Sequence, residues 1–142
     1  MSDAAPRPLA GISALLVCAA AGAATRVAVA EETPRSTMSC RLEAGSGRLL
    51  CSVNVSAPKG EVIVWSDALV VATPSALRAL RSRVASKSDK PEHVVLAFVI
   101  GSGAGGRIAV RSRAVACPAA PRPGACTPVT SEVGYDFEPS AE

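Results

Sequence analysis

Residues 38–55 read MSCRLEAGSGRLLCSVNV, and this stretch decides the fold. Apolar and polar residues alternate along it, except where Ala44-Gly45-Ser46-Gly47 supplies the flexible, polar residues of a tight turn. Alternation with a period of two is typical of a strand with one buried face. The sequence therefore predicts an antiparallel β-hairpin.

The register of this hairpin follows from a turn centred between Gly45 and Ser46. A slip of one residue would move the apolar side chains to the solvent face, so the alternation itself favours one pairing. Directly opposed cysteines at a non-hydrogen-bonded position lie about 4.5–5.5 Å apart between Cα atoms, within reach of a disulfide. The expected pairs are Glu43 with Arg48, Leu42 with Leu49, Cys40 with Cys51 and Met38 with Val53.

Residues 1–30 are predicted to be a signal peptide. A long apolar stretch, Leu9 to Ala30, follows Arg7 and precedes the acidic residue Glu31. We therefore expect an exported protein, periplasmic, secreted or associated with the cell envelope, in a compartment where thiols oxidise. A retained membrane anchor is the alternative, although Arg26 interrupts the apolar run.

Removal of the leader takes away Cys18 and leaves Cys40, Cys51, Cys117 and Cys126. An even number of cysteines in a small exported domain predicts disulfides. We expect Cys40 to pair with Cys51 and Cys117 with Cys126. No metal site is expected, because neither spacing is the tight Cys-x-x-Cys of a zinc site and the chain has a single histidine.

Size and charge restrict the partners. About a hundred residues remain after the leader, enough for one core. The net charge of the chain is +3, and losing Arg7, Arg26 and Asp3 lowers it to +2. Nucleic acid is not an expected partner, because such domains concentrate basic charge beside stacking aromatics, and aromatic residues make up 3% here. Membrane contact is expected only through an uncleaved leader.

Beyond the hairpin, the Val- and Ile-rich run Glu61 to Ala72 predicts one long or two short strands. Thr73-Pro74-Ser75 resembles a helix start, with Thr73 as N-cap, and predicts a short helix that places Leu77, Leu80 and Val84 on one face. An irregular strand is the alternative there.

The apolar run His93 to Ile100 predicts a central strand covered on both faces. A glycine-rich loop, Gly101 to Gly106, follows it, and Arg107 to Cys117 then alternates as a strand, which predicts a second hairpin. The expected organisation is a linker at 31–37, a single β domain at 38–126 and a flexible acidic tail at 127–142.

These elements predict a mainly β fold, a small antiparallel β-sandwich or open barrel with one short helix, stabilised by two disulfides. The expected core consists of Leu49, Val53, Val64, Trp65, Leu96, Phe98, Ile100, Ile108 and Val110.

The order and spacing of Cys51, Trp65 and Cys117 resemble the Cys, Trp and Cys of immunoglobulin domains. Val115 occupies the place of the tyrosine that those domains carry two residues before the second cysteine. The resemblance implies a sandwich in which Cys51 bonds Cys117 between the sheets, and Cys40 bonds Cys126. This pairing competes with the hairpin pairing.

Two motifs suggest chemistry that their context does not support. Gly101, Gly103 and Gly106 match the GxGxxG pattern, but a strand follows where a dinucleotide site needs a helix, so no cofactor is expected. His93 is the single candidate base, and Asp67, Asp89 or Asp136 would have to orient it. No serine lies in a Gly-x-Ser-x-Gly turn, so no catalytic residue is assigned.

Arginines are the remaining surface feature. Arg107, Arg111 and Arg113 lie at odd positions of one predicted strand and therefore share a face. Guanidinium groups match phosphate and carboxylate, so this face is a candidate anion-binding surface, with an ordinary solvated face as the alternative. A second cluster lies in the predicted helix, at Arg78, Arg81 and Arg83.

We therefore expect an exported, non-catalytic β domain of the envelope or secreted fraction that binds an unidentified macromolecule or supports a larger assembly. The alternatives are a small secreted hydrolase dependent on His93, and a secreted inhibitor that presents the loop 118–125 between Cys117 and Cys126.

Overall fold

A computed structural model describes residues 35–140 of the chain, and the predicted signal peptide lies outside these residues. Within 35–140 the chain forms eight strands and no helix, so no described helix is long or apolar enough to cross a membrane. The strands are β1 (Arg35–Glu43), β2 (Arg48–Ser56), β3 (Glu61–Ala72), β4 (Leu77–Ala79), β5 (Arg83–Ala85), β6 (His93–Ile100), β7 (Gly106–Pro118) and β8 (Thr127–Phe137).

The strands form two antiparallel sheets of four. Sheet A has the order β1-β2-β6-β4 and sheet B the order β5-β3-β7-β8. Alternate residues of each strand meet in one apolar layer between the sheets, as in other β-sandwiches. The main core cluster contains Leu49, Cys51, Val53, Ala68, Ala76, Leu77, Val94, Leu96, Phe98, Ile108, Val110 and Phe137. The predicted β-sandwich is confirmed.

The predicted hairpin is present with the predicted register. β1 and β2 pair so that Cys40 lies opposite Cys51, and the two form a disulfide with their Cα atoms 4.0 Å apart. Gly45 and Gly47 adopt positive φ values of 76° and 63° in the turn. Glycine suits these positions because L side chains are strained in that region.

The second disulfide joins Cys117 to Cys126 and closes the loop between β7 and β8. Both pairings follow the hairpin prediction, so the Cys51–Cys117 bond implied by the immunoglobulin resemblance is wrong. The loop also contacts the β2–β3 turn, where the Ala119 N–H donates to the Gly60 carbonyl at 2.9 Å.

The predicted helix after Thr73 is wrong, because this segment forms β4 and β5. One turn remains of the helix start, with the Leu77 N–H donating to the Pro74 carbonyl at 3.0 Å. Isolated helices of this length are marginal. A strand forms here instead, because Leu77 pairs with Ile100 and is buried in the core.

The predicted second hairpin is also wrong. β6 lies in sheet A and β7 in sheet B, so the glycine-rich loop crosses from one sheet to the other. The loop packs tightly there, since a Cβ on Gly105 would lie 2.4 Å from the Phe137 carbonyl oxygen. Gly105 therefore permits a close approach between the loop and the backbone at the end of β8.

Both predicted domain limits are corrected. β1 begins at Arg35, inside the predicted linker, and β8 occupies much of the predicted flexible tail. β8 pairs with β7 from Ala116↔Thr127 to Gly106↔Phe137. Its apolar residues are few but alternate, which is enough for an edge strand with one face on the core.

Seven of the nine expected core residues contribute to the core, with Ile100 packed against it as a partly buried residue. The two exceptions lie on β3, where a bulge at Val64 interrupts the register between Ile63 and Trp65. A bulge inserts one residue and reverses the alternation that follows. Ile63 is therefore buried, whereas Val64 is 48% exposed and Trp65 is half-buried on the outer face.

The two sides of the sandwich differ. On one side, the hydroxyl of Ser36 on β1 lies 2.5 Å from the hydroxyl of Ser131 on β8, so a polar contact joins the edges of the two sheets. On the other side, the edge strands β4 and β5 have three residues each. β6 is central as predicted, but its outer face is open, with Val95 42% exposed.

The disulfides are expected to supply much of the stability of this thin core. Each closes a short segment, with sequence separations of 11 and 9. Loops of this size contribute about 2–3 kcal/mol each by restricting the unfolded chain. Reduction with dithiothreitol should therefore lower the Tm by about 10 °C or more, measured by circular dichroism.

The matched control is the variant C40A/C51A/C117A/C126A, whose Tm should not respond to dithiothreitol. An unchanged Tm for the wild-type chain on complete reduction would contradict this account of its stability.

Candidate functional site: the outer faces of the two sheets

The three arginines singled out in the sequence do share the outer face of sheet B, and each is bound to a carboxylate on a neighbouring strand. Arg107 Nη1 lies 3.1 Å from Asp136 Oδ1, and Arg111 Nη2 lies 3.5 Å from Glu132 Oε1. Both carboxylates lie directly opposite their arginines in the β7–β8 register. Two acidic residues of the predicted tail thus neutralise Arg107 and Arg111.

Arg113 has a different partner, the carboxylate of Asp67 on β3, which lies opposite it in the β3–β7 register. Arg113 Nε donates to Asp67 Oδ1 at 2.9 Å, and its Nη2 donates to Oδ2 of the same group. Arg83 on β5 donates from Nε to Asp67 Oδ2 at 2.6 Å. One carboxylate therefore joins three adjacent strands of sheet B.

Asp67 is completely buried although it lies on the outer face of the sheet. Burial by itself raises the pKa of Asp67, but the hydrogen bonds and positive charges of Arg113 and Arg83 outweigh it, so the pKa lies below its ordinary value. The same hydrogen bond raises the pKa of Arg113. Asp67 is thus a fixed anion inside sheet B.

The outer face of sheet A has the opposite character. Arg41, Arg48 and Arg78 are exposed on it, and we call these three residues the basic face. Arg48 and Arg78 are the partners of Val99 on its two sides, so they lie in one row across β2, β6 and β4. Arg41 on β1 lies opposite Leu50, and Leu50 is two residues beyond Arg48 on β2.

The arginines of the basic face have no ion-pair partner among residues 35–140. Glu43 is the cross-strand partner of Arg48, but its carboxylate instead accepts a hydrogen bond from Ser46 Oγ at 2.6 Å. The half-buried side chains of Leu50 and Val99 separate the cations. This surface therefore offers three guanidinium groups without an ion-pair partner in the described residues, on one face of an antiparallel sheet.

His93 lies on the same outer face, at the far end of β6, and is not joined to the groups that could activate it. Its Nδ1 is 2.7 Å from Asn54 Oδ1. Asp67 and Asp136, two of the candidates to orient it, are bound to arginines of sheet B. Residues 35–140 also contain no group of His, Cys, Asp or Glu that could hold a metal ion.

Sequence reasoning missed the two residue sets that matter most here. The role of Asp67 is not evident from the sequence, because an acidic residue in the Val- and Ile-rich run Glu61 to Ala72 is equally compatible with a break between two short strands. The alternation of the first hairpin already places Arg41 and Arg48 opposite its apolar face, but the sequence assigns Arg78 to the predicted helix. The only signal for a strand there, the alternation of Leu77-Arg78-Ala79, covers too few positions to outweigh the apparent helix start before it.

Comparison with models of known protein families, with curated proteins and with solved structures found no match for this chain. The fold and the two charged faces define the class, a small disulfide-stabilised antiparallel β-sandwich.

Replacing Asp67 by Asn should destabilise the fold at neutral pH, because Arg83 and Arg113 then lose their anion. Hydrogen bonds to charged groups contribute on the order of 2 kcal/mol, and partial solvation of both arginines keeps the loss near that size. The control is Asp136→Asn, which breaks an ion pair with side-chain exposures of 62% and 76% and should leave the Tm almost unchanged.

The effect of Asp67→Asn should also depend on pH. Because the pKa of Asp67 is lowered on folding, its contribution is present above the ordinary value of 3.8 and is lost as pH falls through the folded pKa. The Tm difference between wild type and variant should therefore be constant from pH 7 to about 5 and shrink below pH 4. A difference that grows on acidification would contradict the ion-pair assignment.

Proposed function

We propose that this protein is an exported, non-catalytic β domain that binds an anionic polymer of the cell envelope or extracellular space through the basic face. The apolar leader supports export, and the two disulfides indicate an oxidising environment for the folded chain. A rigid sheet that presents side chains without rearrangement is a suitable scaffold for binding.

The observation that carries this proposal is the contrast between the two outer faces. On sheet B, Arg107, Arg111 and Arg113 are each paired with a carboxylate. On sheet A, Arg41 and Arg48 are exposed and unpaired within the described residues. An anion reaching sheet B must displace an internal partner, whereas the guanidinium groups of the basic face can bind one directly.

In the part of the chain that the structure describes, the outer face of sheet A carries no Trp, Tyr or Phe, and this favours a polymer over a membrane or a nucleic acid. Among residues 35–140, Trp65 lies on sheet B, Phe98 is buried, and Tyr135 and Phe137 lie on β8. Membrane-surface binding commonly adds Trp or Phe inserted at the interface, and single-stranded nucleic acids stack on aromatic rings. The charged groups of a soluble polymer can bind arginines without inserted Trp or Phe side chains and without stacking on aromatic rings.

The disulfide-closed loop supports a second candidate, the inhibitor. Residues 120–126 are all exposed, and the loop is anchored by Cys117–Cys126 and by the bond from Ala119 to Gly60. A preorganised exposed loop loses little entropy on binding. The His93 hydrolase remains a proposal without a supporting contact, since the hydrogen bond of His93 goes to an amide.

The test uses the full chain and two defined probes, polygalacturonate and inorganic polyphosphate, with neutral dextran as the blank. The variant R41Q/R48Q should bind either polyanion about tenfold more weakly, because two contacts of about 0.7 kcal/mol each are lost. Binding by the wild type should also weaken as salt is raised.

The matched control is R107Q/R111Q, which has the same net charge but changes sheet B. Its Kd should stay within about twofold of the wild type, because both arginines are already neutralised. Equal losses in both variants would show a response to net charge alone and would overturn the assignment of the basic face. Absence of binding to both polyanions would overturn the proposed function.

A further inference from the structure

The open side of the sandwich leaves part of β6 without a neighbouring strand. β4 pairs with β6 only from Phe98 to Ile100. After β4, the Leu80 N–H donates to the Ala97 carbonyl at 2.9 Å, and the chain then crosses to sheet B, where the Val70 N–H donates to the Ser82 carbonyl at 2.8 Å. The first half of β6 therefore forms a sheet edge.

The backbone of Val95 faces this open edge. In an antiparallel strand, residues two apart direct their N–H and C=O groups to the same side. Ala97 accepts from Leu80 on this side, and the His93 N–H donates to the Lys90 carbonyl on this side at 3.2 Å. Val95 lies between them, and no described strand pairs with it there. Its N–H and C=O can therefore bond an added strand.

A groove runs along this edge between β5 and β6. Two adjoining cavities, of about 330 and 240 Å³, share Val84 and Val95 as lining residues. Val84 packs against the core from sheet B, and Val95 is 42% exposed on sheet A. The groove floor is thus apolar and open to solvent.

The rim of the groove is basic. Arg81 lines the smaller cavity, and Lys87, Lys90 and His93 line the larger one. Within residues 35–140, no carboxylate lies within ion-pair distance of Arg81, Lys87 or Lys90. Asp89 belongs to the same segment but lines neither cavity.

The rim is held in place before any ligand arrives. The Lys90 N–H donates to the Lys87 carbonyl at 3.1 Å, which closes a turn that carries both lysines. The Ser66 hydroxyl on β3 donates to the Pro91 carbonyl at 2.5 Å, and the Ser86 N–H donates to the Ser66 carbonyl at 2.8 Å. These bonds tie the segment to sheet B on both sides of the lysines.

We propose that this groove binds an extended, acidic peptide segment of a partner protein as a strand added to the free edge of β6. Such a segment would bond the Val95 backbone, place apolar side chains on Val84 and Val95, and set carboxylates beside Lys87 and Lys90. Charge complementarity selects this occupant. A second copy of the chain is disfavoured, since two basic rims would face each other across a symmetric contact.

The probe is the blocked pentapeptide Glu-Val-Glu-Val-Glu, titrated into the ¹⁵N-labelled full chain and followed by NMR. We expect chemical-shift changes centred on Val95 and Val84 and slower hydrogen exchange of the Val95 amide. The same peptide N-methylated along one edge should bind at least tenfold more weakly, because it keeps the charge but loses strand hydrogen bonds. Replacing its glutamates by lysines should abolish binding.

Two variants separate this groove from the basic face. K87E/K90E should weaken peptide binding at least tenfold and leave polyanion binding at the basic face unchanged within twofold. R41Q/R48Q should weaken polyanion binding about tenfold and leave peptide binding unchanged within about twofold. The proposal is overturned if the pentapeptide causes no shift at Val95 at millimolar concentration, if the N-methylated peptide binds equally well, or if K87E/K90E binds like the wild type. Concentration-dependent dimerisation through β6 would also overturn it, since a second copy would then occupy the edge.

Discussion

The whole structure depends on one thin apolar layer between two four-stranded sheets. Its largest fully buried side chain is Phe98, and most of the others are Val, Leu and Ala. A core of small side chains buries little area per residue, so stability must also come from links between strands. The chain supplies these as a disulfide between β1 and β2, a second disulfide that closes the loop between β7 and β8, and the carboxylate of Asp67, which joins three strands of sheet B.

How far the sequence predicts this fold depends on whether a contact is local. The register of the first hairpin was predictable because the turn at Gly45 and Gly47 and the alternation around it point to the same pairing. The direction of the Trp65 side chain was not predictable. The alternation of buried and exposed residues reverses at a bulge before it, and no residue type in the sequence marks that bulge. β8 was missed for a related reason. An edge strand with one face on the core needs few apolar residues, and the acidic residues between them suggested disorder.

The charged faces are even less predictable from the sequence than the strands, because their ion pairs join residues that are far apart along the chain. A sequence reveals that Arg107 and Arg111 share a face, but not that Glu132 and Asp136 lie across from them on β8. That pairing arises only when β8 joins the sheet, so the acidic tail and the arginine row could not be recognised as one unit. The free arginines of sheet A belong to three strands, and one of them, Arg78, lies on a strand of three residues that too few positions identify.

The way in which the sheet edges are protected bears directly on the proposed peptide groove. Sheets in soluble proteins commonly protect their edges with short strands and with charged residues, because a long free edge pairs with other chains. Here β4 and β5 are short edge strands, and Lys87 and Lys90 place charge beside the edge of β6. Positive charge at an edge repels a second copy but attracts a segment of opposite charge. The features that would oppose pairing of this edge with a second copy are therefore the same ones on which the proposed binding of an acidic strand rests.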